Sequence, residues 1–201
     1  MTARPHDLLR LAGSTVLGDG LPGWAHASLA TCPWGVVRRA PHPSGFVPID
    51  VRGPEPGQRL AALVPLDAVT HIVPPEHLTG RRPRFALLGL ILAAVARELA
   101  AELEDALWGP IGGVGFELAT GRPATHPGSD LDLLIRAPRR FPPADAARLV
   151  TAFAALPGHV DCQLETPCGG IALNEWARTG APVLASTDHG PRLVDDPWTL
   201  P

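Results

Sequence analysis

The chain's densest chemistry lies in Ser129-Asp130-Leu131-Asp132-Leu133. On a strand, carboxylates two residues apart share one face, about 6–7 Å apart, and Leu131 and Leu133 take the other. Ser129 with Asp132 three positions later also resembles a helix capping box. Little room for a helix remains before Pro138, so the strand fits better. Paired carboxylates on a buried strand repel one another and are costly to desolvate. A divalent cation offsets that cost: carboxylate oxygens are hard ligands that suit Mg²⁺, and Mn²⁺ equally. As a bare Asp-x-Asp the pair is just as well the solvated end of a strand. A third carboxylate would complete a two-metal site. Asp161, in His159-Val160-Asp161-Cys162-Gln163-Leu164, is the candidate, and Glu165 on the same face is its alternate. Upstream, Gly112, Gly113 and Gly115 would let backbone N–H groups approach a polyphosphate; taken alone they read as a turn.

The elements around these residues follow from periodicity and punctuation. Leu87, Leu88, Ile91, Val95, Leu99 and Leu103 recur at three and four residues, which predicts a helix over 83–107 with Pro83 in its first turn. Glu98, Glu102, Glu104 and Asp105 fall in its solvated second half, and Trp108-Gly109-Pro110 stops it. The glycine-rich piece 109–118 reads as strand or loop. A strand at 129–136, a helix at 142–156, a strand at 159–165, a short helix at 171–178 and a hairpin turning at Asp188-His189-Gly190 follow. Before residue 80, short apolar runs at 35–39, 45–53 and 60–64 read as strands, 7–12 as a short helix and 65–73 as ambiguous. The many prolines predict a small, irregular region. The reading is an α/β (α+β) protein with a small strand-rich N-terminal domain at 1–80 and a second domain at 81–201.

With 201 residues the chain has room for one domain or two small ones. Its 45% hydrophobic and 18% charged residues suit a globular protein. A net charge of -3 argues against a nucleic-acid coat. The longest apolar stretch, residues 85–96, is too short to span a membrane, which needs about 20 residues. Residues 1–13 lack the pattern of a secretory leader. Cys32, Cys162 and Cys168 match no disulfide framework or zinc knuckle, which suggests a reducing compartment and a cytoplasmic protein. Every basic residue is Arg, and Tyr is absent. Phosphate contacts therefore fall to Arg or backbone N–H groups, and neither Lys nor Tyr serves as nucleophile or base. Arg38, Arg39, Arg52 and Arg59 are candidates for phosphate oxygens or an acidic partner. Arg81, Arg82 and Arg84 cluster at the expected helix start. Glu117 reads equally as a site residue or a structural acceptor.

A long helix, a glycine-rich turn, a strand bearing Ser129-Asp130-Leu131-Asp132 and a later strand with one Asp together resemble the polymerase-β-like nucleotidyltransferase superfamily. More narrowly, the chain resembles the phosphoribosyl-dephospho-CoA transferases of malonate decarboxylase, also called its holo-acyl-carrier-protein synthases. That likeness rests on Arg4-Pro5-His6-Asp7-Leu8-Leu9, Val36-Val37-Arg38-Arg39, Val51-Arg52-Gly53, Gln58-Arg59 and Trp108-Gly109-Pro110. It continues through Val114-Gly115-Phe116-Glu117-Leu118-Ala119-Thr120-Gly121, Glu175-Trp176-Ala177-Arg178, Gly190-Pro191-Arg192 and Asp196-Pro197-Trp198. The resemblance implies a donor, 2′-(5″-triphosphoribosyl)-3′-dephospho-CoA, and an acceptor, a serine of the apo acyl-carrier subunit of malonate decarboxylase. Pyrophosphate is the leaving group. It implies Asp130, Asp132 and Asp161 as catalytic metal ligands for Mg²⁺. Gly112, Gly113, Ser129 and the four N-terminal arginines would contact substrate. A transferase using ATP or another nucleoside triphosphate, and a non-catalytic module binding CoA or the carrier, are the alternatives. The sequence departs from the superfamily in carrying Gly112-Gly113 where Gly-Ser is usual, and in the long run from Gly112 to Asp130. It departs from the family in Gly53-Pro54-Glu55-Pro56-Gly57, where more basic residues are expected.

Overall fold

The computed structural model describes residues 2–13, 17, 20–55, 57–103 and 106–199. It divides into two compact units, Met1–Pro74 and Pro75–Pro201.

In the first unit, β1 (Leu8–Leu11), α1 (Gly23–Thr31), β2 (Trp34–Val37), β3 (Phe46–Arg52), β4 (Arg59–Pro65) and β5 (Val69–Val73) build an antiparallel five-stranded sheet in the order β4-β3-β2-β1-β5. Leu9, Leu11, Leu29, Val37, Ile49, Val51 and Val64 form its core. Two expectations are overturned. Residues 7–12 were expected to be helical, but Leu8, Leu9 and Leu11 are buried in a strand paired on both sides. Tertiary pairing outweighs helix propensity over so short a run. The region is also regular despite its prolines. Pro48 sits inside β3 just beyond the last β2 pair, Val37↔Ile49, where its carbonyl accepts Arg38 N–H at 3.0 Å. A strand residue's N and C=O point the same way, so the donor that proline lacks would face Arg38 just past the end of β2, and only the terminal bond of that ladder goes unmade. Helix α1 was not anticipated.

The second unit opens with a 3-10 turn (Pro75–Leu78) and α2 (Ala86–Glu102). It continues through β6 (Trp108–Pro110), α3 (Gly112–Thr120), β7 (Leu131–Arg136), α4 (Pro143–Ala154), β8 (Val160–Thr166), β9 (Gly169–Ala172), α5 (Leu173–Thr179), β10 (Val183–Thr187) and β11 (Gly190–Val194). The six strands run β11-β10-β9-β8-β7-β6; β7 and β8 are parallel, joined through α4, and the other neighbours are antiparallel. Leu88, Ile91, Val95 and Leu99 of α2 pack with Leu131, Leu133 and Ile135 of β7 and Leu149 and Phe153 of α4. Of the α2 stripe, Leu87 is 40% exposed instead. The helix is shorter than its apolar period: Phe85 precedes it and Leu103 follows it. Glu104 and Asp105 lie outside the described residues. Trp108–Pro110 does not merely stop the helix but pairs with Leu133–Ile135 as an edge strand. The rings of Trp176 and Trp198 pack tilted at 60° with centroids 5.0 Å apart, and their indole N–H groups donate to Phe141 O and Ala137 O.

Candidate active site

Alternation along β7 sends Leu131, Leu133 and Ile135 into the core and places Asp132, Leu134 and Arg136 on the opposite face. In the parallel register Asp132 stands beside Asp161, Leu134 beside Gln163 and Arg136 beside Glu165. Residues so paired in a sheet share a face about 4.8 Å apart. Asp130 immediately precedes β7, two residues before Asp132 and on the same face. Leu131 N–H donates to His159 O at 3.0 Å, and His159 Nδ1 lies 3.6 Å from Asp130 Oδ2. The three aspartates therefore occupy adjacent positions at one end of the only parallel pair among the described strands. Glu165 is four residues further along β8, level with Arg136. Arg136 is committed elsewhere: its Nε reaches Glu76 Oε1 at 3.0 Å in a largely buried ion pair.

Helix α3 begins against this face. Four glycines in 109–115 make the piece 109–118 read as strand or loop, but Gly112–Thr120 is helical. The usable signal was at the other end, where Gly121 closes the helix in a left-handed cap (φ 72). Ile111 N–H donates to Asp132 O at 2.9 Å, tying the helix entry to β7. Gly112 has φ +61, and a Cβ there would collide with Asp132 Oδ2 and lie 2.7 Å from its Cγ. A carboxylate thus fills the space a side chain would take at the start of a helix, where backbone N–H groups lack intrahelical acceptors and negative charge is favoured. A Cβ on Gly113 would lie 3.1 Å from Ala124 O, so the loop 121–129 passes over the same turn.

Glu117 holds that loop. Its Oε2 accepts Ala124 N–H at 2.9 Å, Thr125 Oγ1–H at 2.9 Å and Thr125 N–H at 3.2 Å. Burial alone raises this carboxyl's pKa; the hydrogen bonds from Ala124 and Thr125, with one from the Arg84 backbone, outweigh it and leave the pKa below the ordinary value. Of its two readings, the structural acceptor is the one with contacts. The loop ends in a turn where His126 N–H donates to Ser129 Oγ at 2.9 Å, so the Ser129 hydroxyl oxygen is an acceptor within the chain.

The remaining candidates belong to other elements. Arg38, Arg39, Arg52 and Arg59 belong to the first unit. There Arg38 Nε lies 3.2 Å from Asp50 Oδ1, and Arg52 and Arg59 are cross-strand neighbours. Arg81 caps α3 by donating to Leu118 O at 2.7 Å, and Arg84 lies over the Phe85 ring; both precede α2 rather than open it. Cys162 faces the core, and burial, then the Asp161 carboxylate, push its thiol's pKa up.

The donor set suits a hard divalent cation: carboxylate oxygens at adjacent positions on one face, with Gly112 leaving room for the Asp132 carboxylate. Their side chains are not drawn together, as among the described residues no three potential ligands converge on one point. The Asp130 carboxylate is 60% exposed and lies beside the His159 ring. Among the described residues no helix is long and apolar enough to cross a membrane.

In this mixed α/β unit the candidate groups lie at one end of a parallel strand pair; the comparisons with known proteins point to a transferase. Residues 84–197 match the model for the phosphoribosyl-dephospho-CoA transferase MdcG C-terminal domain, and residues 4–75 match that for its N-terminal domain. A phosphoribosyl-dephospho-CoA transferase of Pseudomonas aeruginosa is 44% identical over 98% of this chain and 94% of its own length. One of Pseudomonas putida is 44% identical over 98% and 96%, and one of Azotobacter vinelandii 41% over 97% and 94%. The chain belongs to the phosphoribosyl-dephospho-CoA transferase family. No solved structure matches it.

Proposed function

We propose that the chain transfers the phosphoribosyl-dephospho-CoA group from 2′-(5″-triphosphoribosyl)-3′-dephospho-CoA to a serine of the apo acyl-carrier subunit of malonate decarboxylase. The second unit would act as a polymerase-β-like nucleotidyltransferase domain. The observation that carries the reading is the Asp132↔Asp161 register with Asp130 two residues upstream, beside the α3 entry. Mg²⁺ or Mn²⁺ held by Asp130, Asp132 and Asp161 would neutralise phosphate charge. In the reaction the serine oxygen forms a bond to the α-phosphorus, and the bond from that phosphorus to the pyrophosphate oxygen breaks. Asp161, whose side chain is exposed on β8, accepts the serine proton at a carboxylate oxygen. The Gly112-Gly113 turn orients the departing phosphates through backbone N–H groups. No covalent intermediate on the protein is required, since positioning and charge supply most of the acceleration in phosphoryl transfer.

Intact-mass analysis of the apo carrier, incubated with protein, donor and Mg²⁺, tests this. The expected result is a mass gain equal to the phosphoribosyl-dephospho-CoA group, abolished by EDTA, with pyrophosphate released. An AMP gain in a parallel incubation with ATP, and none with the donor, would replace the donor assignment. No gain from any donor, with competent acceptor, would leave a binding module.

A further inference from the structure

The β3–β4 ribbon of the first unit has one buried face and one open face. Val47, Ile49 and Val51 of β3 turn to the core. The residues between them turn the other way, and the strand register sets each beside a β4 neighbour: Phe46 by Pro65, Pro48 by Leu63, Asp50 by Ala61 and Arg52 by Arg59. Phe46 is 38% exposed and Leu63 44%; Ala61 and Arg59 are exposed with them. Just past β2, Arg38 joins this face, its Nε 3.2 Å from Asp50 Oδ1. The open face therefore has an apolar end at Phe46 and Leu63 and a basic end at Arg52 and Arg59.

The basic end is built at a cost. Like charges directly opposite one another on neighbouring strands destabilise the pairing, and Arg52 and Arg59 are such a pair. The side chain of Arg59 makes no ion pair or hydrogen bond with any described residue. An anionic group seated against both guanidinium groups removes the repulsion. The positive surplus is local: three arginines stand with one aspartate on this face, in a chain whose net charge is -3. Glu55, in the turn that joins the strands, is the ribbon's one further carboxylate.

A phosphate group is the poorer fit. Phosphate cradles converge backbone N–H groups on one point, whereas those of paired strands lie in the plane of the sheet and leave only side chains on its face. The Arg52–Arg59 row and the Pro48–Leu63 row are four residues apart, about 13 Å along the ribbon. A surface that matches both rows, with carboxylates at one and an apolar side chain at the other, is that of a protein.

We infer that the open β3–β4 face is the docking surface for the protein acceptor, with Arg52 and Arg59 engaging its acidic side chains and Phe46 and Leu63 an apolar one. That the partner is the acceptor rests on the proposed reaction, whose protein substrate must dock and then leave. A face of two strands suits such a transient encounter.

The test is calorimetric binding by the full chain, which does not require turnover. The apo carrier subunit, dephospho-CoA and inorganic pyrophosphate are titrated separately into the unaltered protein, Arg59→Glu and Leu63→Ser. Arg59→Glu sets opposite charges across the strands, and Leu63 lies outside the core, so both variants should fold; melting curves check this. The expected result is carrier affinity lowered about fivefold or more in each variant, with dephospho-CoA and pyrophosphate affinities within about twofold of the unaltered chain. Added salt should weaken carrier binding to the unaltered chain, and less so to Arg59→Glu. Carrier affinity unchanged in either folded variant, or no saturable carrier binding to the unaltered chain, would overturn the inference. Loss of dephospho-CoA or pyrophosphate binding in Arg59→Glu with carrier affinity intact would also overturn it and make the basic end a phosphate site. Carrier modification by the unaltered chain is scored separately. Its absence with face-dependent carrier binding removes the transfer reaction and keeps the docking surface; its presence with face-independent binding does the reverse.

Discussion

Replacing Gly112 by Ala separates two costs that a neighbouring glycine lets one subtract. Gly112 (φ +61) and Gly121 (φ +72) both adopt the left-handed conformation. For an L-residue with a Cβ that conformation costs about 1–2 kcal/mol. A Cβ on Gly121 meets nothing within 4 Å, whereas one on Gly112 occupies the space of the Asp132 carboxylate. Gly121→Ala should therefore show the backbone cost alone, a melting-temperature drop of roughly 2–8 °C for a chain of this size, with carrier modification within about twofold of the unaltered rate. Gly112→Ala carries the same backbone cost and also displaces the Asp132 side chain by an ångström or more. A displacement of that size at a reacting group costs on the order of 100-fold in rate. The assay is initial-rate carrier modification by intact mass, beside melting curves for both variants. Equal rates in the two variants would refute the placement of Asp132 against α3 as a requirement of the reaction.

Three further outcomes follow from contacts in the second unit. The Glu117 pKa is held below its ordinary 4.5 in the folded chain, so the unfolded chain binds the proton more readily. Its contribution to stability is full above the ordinary value and is lost as pH falls through the folded one. Urea unfolding of Glu117→Gln should show a deficit of about 1–3 kcal/mol at pH 7 that shrinks on acidification, and a pH-independent deficit would contradict the charge-based account. Glu76→Ala leaves the buried Arg136 guanidinium without its Glu76 partner and should cost about 3–5 kcal/mol in urea unfolding; a loss under 1 kcal/mol would mean that water reaches the site. Cys162, 4% exposed and with its thiol pKa pushed up by burial, should resist iodoacetamide at pH 8 while Cys168 reacts, as read by peptide mapping.

What could be read from the sequence depended on whether local pattern or distant pairing decided a segment. Asp130 and Asp132 were legible as one face, and Asp161 as a candidate third carboxylate on a later strand, because strand alternation is strictly local and Leu131, Leu133 and Leu164 mark the buried sides. Their side-by-side register was not, since the β7–β8 pairing is fixed by α4 packing across the sheet. Helix α4 declared itself through Pro143 and an apolar stripe, whereas α3 hid behind glycines that serve close approach to Asp132 and to the loop at Ala124. In the first unit Leu8–Leu11 is too short for periodicity to separate helix from strand, and pairing with both β2 and β5 settles it. The proline-rich loops concealed a regular sheet because Pro41, Pro43 and Pro54 lie between strands. The role of Glu117 rests on contacts seven and eight residues away in a loop with no periodic signal.

In the proposed reaction the face carrying Asp130, Asp132 and Asp161 performs the transfer. The most direct test of this is the single-turnover rate of carrier modification by Asp130→Asn, Asp132→Asn and Asp161→Asn, each with a melting curve and a dephospho-CoA affinity. The expected variants fold and bind dephospho-CoA within about threefold of the unaltered chain yet transfer on the order of 1000-fold more slowly, given the weight of charge stabilisation in such reactions. Transfer at the unaltered rate by folded Asp132→Asn or Asp161→Asn would contradict it.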